Sequence, residues 1–210
     1  MRRISPKVAL LLALISLPSV AQAQLVSTGA SQSGNRDLRW DVSTNAGASW
    51  TQAFVVTSVP GQWTAGAPGG TWVSATASGS GGGGSYAVRS LFTLASGDAF
   101  SFDFRCATDN AFAGMFINGT QFGSNHCPSL WTWGSFVSVG SSNFLAGQNS
   151  VEFRWTGDNV TDGIAVDLNN QRFVPGPTGP GTVVPEPSAI VLLASGLLGL
   201  GVVARRRRQR

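Results

Sequence analysis

The chain has 210 residues, with 14 Lys and Arg against 10 Asp and Glu, giving a formal net charge of +4. Eight of those basic residues lie at the two ends, so residues 24–204 hold 6 Arg, no Lys and all 10 acids, a net of −4. That middle region has none of the phosphate-neutralising surplus that nucleic-acid binding requires, and nucleic acid is excluded as its partner.

At the N-terminus, Arg2, Arg3 and Lys7 precede the apolar run 8–17, and Pro18 leads to Ala21-Gln22-Ala23. A basic stretch, a short apolar run and a small-x-small site make the pattern of a secretory signal peptide, over residues 1–23, recognised by the export machinery. Cleavage between Ala23 and Gln24 is expected. The alternative, a first membrane helix, needs a longer run.

Residues 24–174 follow, enough for one domain with its own core. They are rich in Gly, Ser, Thr, Phe and Trp and poor in Leu, Lys and Glu, and they contain all 7 Trp and all 12 Phe. Such a composition favours strands and turns over helices. Strands are expected at 37–42, 53–57 and 71–77. Residues 79–85 (GSGGGGS) read as a surface loop, without the glycine spacing or following Lys-Ser/Thr of a phosphate cradle.

Beyond that loop the alternation is stronger. Tyr86, Val88, Phe92 and Leu94 share one parity, as do Phe100, Phe102, Phe104 and Cys106. Residues 111–117 and 120–122 flank Asn118-Gly119, a tight-turn pair that predicts a hairpin. Trp131, Trp133, Val137 and Val139 predict a strand over 131–139. Val151, Phe153 and Trp155 alternate with Glu152 and Arg154, and Ile164, Val166 and Leu168 mark a last strand reaching towards Phe173. The fold class is therefore all-β, an antiparallel β-sandwich.

From Trp72 to Phe173 the chain resembles the galactose-binding-domain-like jelly rolls. The carrying segments are Tyr86-Ala87-Val88-Arg89-Ser90-Leu91-Phe92, Ala107-Thr108-Asp109-Asn110, Phe116-Ile117-Asn118-Gly119-Thr120, Phe136 to Phe144 and Ala146-Gly147-Gln148-Asn149-Ser150-Val151-Glu152-Phe153. Domains of this kind bind glycans, bind proteins or only pack, so the resemblance implies a fold and leaves the function open. It also implies a structural Ca²⁺, for which the oxygen-rich turn with Asp158, Asn159 and Asp162 is the candidate, or the neighbourhood of Asp37 and Asp41. That turn lacks EF-hand spacing, and an Asp/Asn/Gly turn forms without metal. No other cofactor is expected.

Cys106 and Cys127 are the only cysteines, and an even count in an exported chain predicts a disulfide. Catalysis has little support. His126 is the sole histidine, too few for a triad or a zinc site, and most acids fall on expected solvent faces or turns rather than as a glycosidase pair. Glycan binding rests on Trp40, Trp50, Trp63 and Trp72, whose flat rings stack on sugars if exposed and fill a core if not.

Residues 175–187 (PGPTGPGTVVPEP) form a Pro/Gly linker. The uncharged run 188–204 follows, long enough as a helix for about 25 Å, and then Arg205, Arg206, Arg207, Arg208 and Arg210. Arginines directly after an apolar segment hold that end in the cytoplasm, so 188–204 reads as a membrane helix and 205–210 as its cytoplasmic tail, with a soluble basic tail as the alternative. The order Pro185-Glu186-Pro187, apolar helix, arginine cluster resembles the PEP-CTERM sorting signal of Gram-negative bacteria. That resemblance implies export through the inner membrane, transient anchoring, cleavage near Pro-Glu-Pro by an exosortase, and a place at the cell surface or in the extracellular matrix. Such proteins accompany exopolysaccharide and biofilm production. The mature domain is then expected to be a non-catalytic structural or adhesive element, or a carbohydrate-binding module; a glycoside hydrolase is the remote alternative.

Overall fold

A computed structural model describes residues 25–63, 70–123, 126–127, 131–158 and 160–177. The chain divides into two compact units, Met1–Val174 and Pro175–Arg210. The expected signal peptide with Ala21, Ala23 and Gln24, the Pro185-Glu186-Pro187 motif, the apolar run 188–204 and Arg205 to Arg208 lie outside the described residues.

The first unit is all-β. Its strands are β1 (Gln32–Ser33), β2 (Arg36–Ser43), β3 (Thr51–Val55), β4 (Trp72–Ser74), β5 (Gly84–Leu94), β6 (Ala99–Asp109), β7 (Phe112–Ile117), β8 (Thr120–Gln121), β9 (Val137–Val139), β10 (Gly147–Gly157) and β11 (Gly163–Val174). All the strand pairings among the described residues are antiparallel. The order is β8-β7-β10-β5-β2-β3-β4-β11-β6-β9, with β1 beside β2.

Where two separate sheets were expected, this path is one hydrogen-bonded sheet, continuous through β2 and β3. It curls until its halves face each other. Phe153 of β10 meets Phe104 of β6 with ring centres 5.3 Å apart, and Phe92 of β5 meets Phe100 of β6 at 5.2 Å. These strands are far apart along the path, so only curvature brings them together. The core between the halves is the set of period-two residues: Val88, Phe102, Phe104, Val151, Phe153, Trp155, Ile164 and Val166 are all buried.

The joint between the halves has an identifiable cause. β2 pairs with β3 at Arg36 and again from Asp41, with a shift of register between. Asp37 supplies the missing acceptor: its buried carboxylate takes the N–H of Gly29 at 2.6 Å, Arg39 at 2.8 Å and Trp40 at 3.2 Å. A side-chain acceptor standing in for a carbonyl lets the strand leave its ladder without orphaning buried donors.

A second, smaller core covers the other face of the β4–β11–β6 half. Val56, Trp63, Trp72, Ala107 and Ala165 are buried there, with Trp131 and Trp133 packed against them. The expected strand over 131–139 is shortened to β9, and the reason is local. Trp131 has φ +65, outside the extended region of regular strands and a conformation that bulky side chains rarely take. The two tryptophans therefore belong to a loop laid over the sheet.

Candidate functional site

The four tryptophans named as ligand candidates part company. Trp40 is inside: its ring lies 6.0 Å from that of Phe153 and its indole N–H donates to the Val26 carbonyl at 2.8 Å. Trp63 and Trp72 are also buried, stacked on each other at 4.1 Å in the second core. All three are structural: Trp40 fills the main core, and Trp63 and Trp72 are covered because both faces of the β4–β11–β6 half are packed, so strand parity there does not distinguish core from solvent. Trp50 alone keeps an accessible face. Half-buried after a short loop, it lies 4.2 Å from the Arg89 guanidinium.

Trp50 sits on the outward face of the β2–β5–β10–β7–β8 half. The inward residues of these strands (Val42, Val88, Phe153, Met115) are buried, so their neighbours Asp41, Arg89, Glu152 and Phe116 point out. Register places Asp41 opposite Arg89, Arg89 opposite Glu152, Glu152 opposite Phe116 and Phe116 opposite Gln121. One rung thus crosses five strands. Asp41 and Arg89 approach to 3.5 Å, Arg154 donates to Glu152, and Arg154 also stacks 4.0 Å from the Phe116 ring. The alternation of 151–155 marked Glu152 and Arg154 as outward, but nothing local showed that they meet Arg89, Phe116 and Trp50; that depends on non-local register.

At the rung's β8 end lies a groove of about 310 Å³, lined by Ile117, Asn118, Thr120, Gln121, Phe122, Asn143 and Leu145. Asn118 is held rigidly: its amide N–H donates to Asn149 at 2.9 Å and its carbonyl oxygen accepts the Ser150 N–H at 2.8 Å.

A comparable aromatic–arginine arrangement lies on the outer face of the opposite half. Arg105 is bound to Asp167 at 2.9 Å and lies 5.1 Å from the Trp133 ring and 4.8 Å from the Phe136 ring. Trp133 had been assigned to a strand, and its place over Arg105 was not foreseen.

The candidate calcium turn has a different organisation. Asp162 is fully buried, and its Oδ1 accepts the N–H of Asp158 at 2.9 Å. Asp158 Oδ1 in turn accepts the N–H of Val160 at 3.1 Å, and Asn159 lies outside the described residues. The carboxylate fits between Gly81 and Gly157, where an added Cβ would fall 2.3 Å from its oxygens at either glycine. Asp162 thus clasps the 158–162 turn to the glycine-rich loop. Among the described residues, no group of three or more His, Cys, Asp or Glu side chains converges as a metal site. Near Asp37 and Asp41 the acids are likewise taken up, by three backbone N–H groups and by Arg89.

Burial pushes the Asp162 carboxyl above its ordinary range, and the nearby Asp158 and Asp109 carboxylates add to the rise. Asp109 is also raised by burial, opposed by the indole N–H groups of Trp63, at 2.7 Å, and Trp131. Burial raises Asp37 too, against its three backbone donors. These shifts come from carboxylates that hold loops and strands in place.

Cys106 and Cys127 are bonded, with Cα atoms 5.1 Å apart. His126 packs edge-on against Phe104 and beside Phe122, and its Nε2 lies 3.1 Å from the Phe122 carbonyl. Among the described residues, no helix is long and apolar enough to cross a membrane.

No curated protein and no solved structure matches the chain. One family model does: residues 183–208 match the PEP-CTERM protein-sorting motif. The match spans the Pro-Glu-Pro triplet, the apolar run and most of the arginine cluster. The chain therefore carries a PEP-CTERM protein-sorting motif at its C-terminal end.

Proposed function

We propose that this chain is an exosortase substrate whose β domain serves at the cell surface as a non-catalytic structural or adhesive element of the extracellular polysaccharide. The carrying observation is the sorting motif at residues 183–208, following a domain rich in buried aromatics. In this reading residues 1–23 direct export, 188–204 anchor the chain transiently in the inner membrane, and the arginine tail keeps its end cytoplasmic. The Pro/Gly linker then presents Pro185-Glu186-Pro187 to the exosortase. The curled sheet is read as a jelly roll, a scaffold that packs its long strands around an aromatic core.

A non-catalytic role agrees with how the acids are used. Asp37, Asp109 and Asp162 each hold a named loop or strand, and Asp41, Glu152 and Asp167 pair with arginines. A second reading, a carbohydrate-binding module, is favoured by Trp50, which keeps an accessible face beside Arg89.

Fractionation of producing cells tests the main reading. The protein is expected with the surface and matrix fractions, and in the medium when polysaccharide synthesis is blocked. Accumulation in the cytoplasm, or release indifferent to polysaccharide, would overturn it.

A further inference from the structure

We propose that the outward face of β2, β5, β10, β7 and β8 is a binding track for an uncharged, hydroxyl-rich polysaccharide chain. It runs along the rung from Trp50 to the groove beside Gln121. The inference rests on the reading of the domain as a surface-delivered element and names its partner. The rung crosses five strands, about 19 Å at the ordinary strand spacing, so it is longer than one sugar ring and suits an extended chain.

Four observations select that ligand. First, the charged side chains here are matched, Asp41 with Arg89 and Glu152 with Arg154. These pairs hold two of each sign, so the rung itself gives a polyanion or a nucleic acid no net attraction. Second, each pair sets guanidinium donors near a carboxylate acceptor, Arg154 bonded to Glu152 and Arg89 3.5 Å from Asp41. A sugar hydroxyl both donates and accepts, so it can meet such a pair with both functions at once.

Third, Trp50 and Phe116 each lie against a guanidinium, at 4.2 Å and 4.0 Å, and both remain half-exposed. Stacking fixes the rings before any ligand arrives, and rigid amphipathic surfaces bind at low entropic cost. The C–H face of a pyranose is the complementary apolar surface. Fourth, Gln121 belongs both to the rung and to the 310 Å³ groove, so the two meet at the β8 edge. The groove offers uncharged polar groups, Asn118, Thr120 and Asn143, beside apolar Phe122 and Leu145. That is the lining of a site for a neutral polar molecule with an apolar face.

The test is affinity electrophoresis of the full-length chain in mild detergent. The gels contain hydroxyethylcellulose, galactomannan, dextran or polysaccharide recovered from the producing cells, with alginate as the charged comparator. At least one uncharged polymer is expected to retard the protein. Trp50→Ala and Gln121→Ala are each expected to weaken the effect roughly tenfold or more, the size of loss that truncating one anchoring contact produces. Trp133→Ala, on the opposite outer face, should leave it unchanged. All three substitutions lie outside the main core, and a single cooperative thermal transition confirms that each variant folds.

Three results would overturn the proposal: no retardation by any polymer, retardation by alginate alone that salt abolishes, or Trp50→Ala and Gln121→Ala variants that bind like the parent. Fractionating the same variants keeps the two readings apart, because delivery to the surface does not depend on this face.

Discussion

Replacing both Cys106 and Cys127 by Ala is expected to destabilise the domain by about 3 kcal/mol, and the figure follows from where the bridge sits. Cys106 lies near the end of β6, in one half of the curled sheet, while Cys127 follows the β7–β8 hairpin of the other half. The bond closes a segment of 21 residues that crosses between facing halves. In the loop-entropy treatment a loop of that length lowers the unfolded chain's entropy by about 11 cal/mol/K, hence about 3 kcal/mol at 25 °C. Urea unfolding should show a lower midpoint and a somewhat larger m-value, because the freed unfolded chain exposes more surface. For a unit of this size the thermal midpoint should fall by roughly 6–12 °C. Parent protein under a reductant should unfold where the double variant does. A loss under about 1 kcal/mol would refute the reasoning, since the reduced unfolded chain would then already hold the two cysteines close together.

Trp155→Ala empties a fully buried site and is expected to cost about 3–5 kcal/mol, whereas half-exposed Trp50→Ala should cost about 1 kcal/mol or less; chemical denaturation compares them, and similar costs would contradict the placement of Trp50. Asp37→Ala leaves two buried N–H groups, those of Gly29 and Trp40, and the part-buried N–H of Arg39 without their acceptor and should cost about 2–3 kcal/mol or more, read from the same curves; a loss below 1 kcal/mol would show that the β2 joint does not depend on this carboxylate. Asp162→Asn probes pH dependence. With its folded pKa raised by burial above the ordinary 3.8, Asp162 binds its proton more readily in the folded state, so it weakens stability above the folded pKa and that penalty is relieved as pH falls through it. The Asn variant should therefore be more stable than the parent at neutral pH, with the advantage shrinking in acid; an advantage that grows on acidification would contradict the sign.

Much of the fold is legible in the chain because the inner faces of the long strands are mostly apolar. Phe100, Phe102 and Phe104 alternate without exception, and Asn118-Gly119 turns the chain where its positive φ angles require. The fates of the tryptophans were harder to read. Trp63 and Trp72 are covered because a loop packs onto the outer face of the β4–β11–β6 half, and parity carries no information once both faces are buried. Trp131 and Trp133 alternate as a strand does, yet the positive φ of Trp131 breaks the ladder. Asp37 resembles any solvent-facing acid, and its burial follows from a register shift between β2 and β3 that no local pattern announces. The Asp41–Arg89–Glu152–Phe116–Gln121 rung joins residues up to 111 positions apart, so only the pairing register assembles it.

Sorting through the C-terminal motif is tested most directly by the C-terminal peptide of the protein recovered from the surface of producing cells. Mass spectrometry should find the parent form ending near Pro185-Glu186-Pro187, without the apolar run and the arginines. A Glu186→Ala variant should keep both and remain in the membrane fraction. A surface form that still ends at Arg210, or the same C-terminus in parent and variant, would contradict the claim.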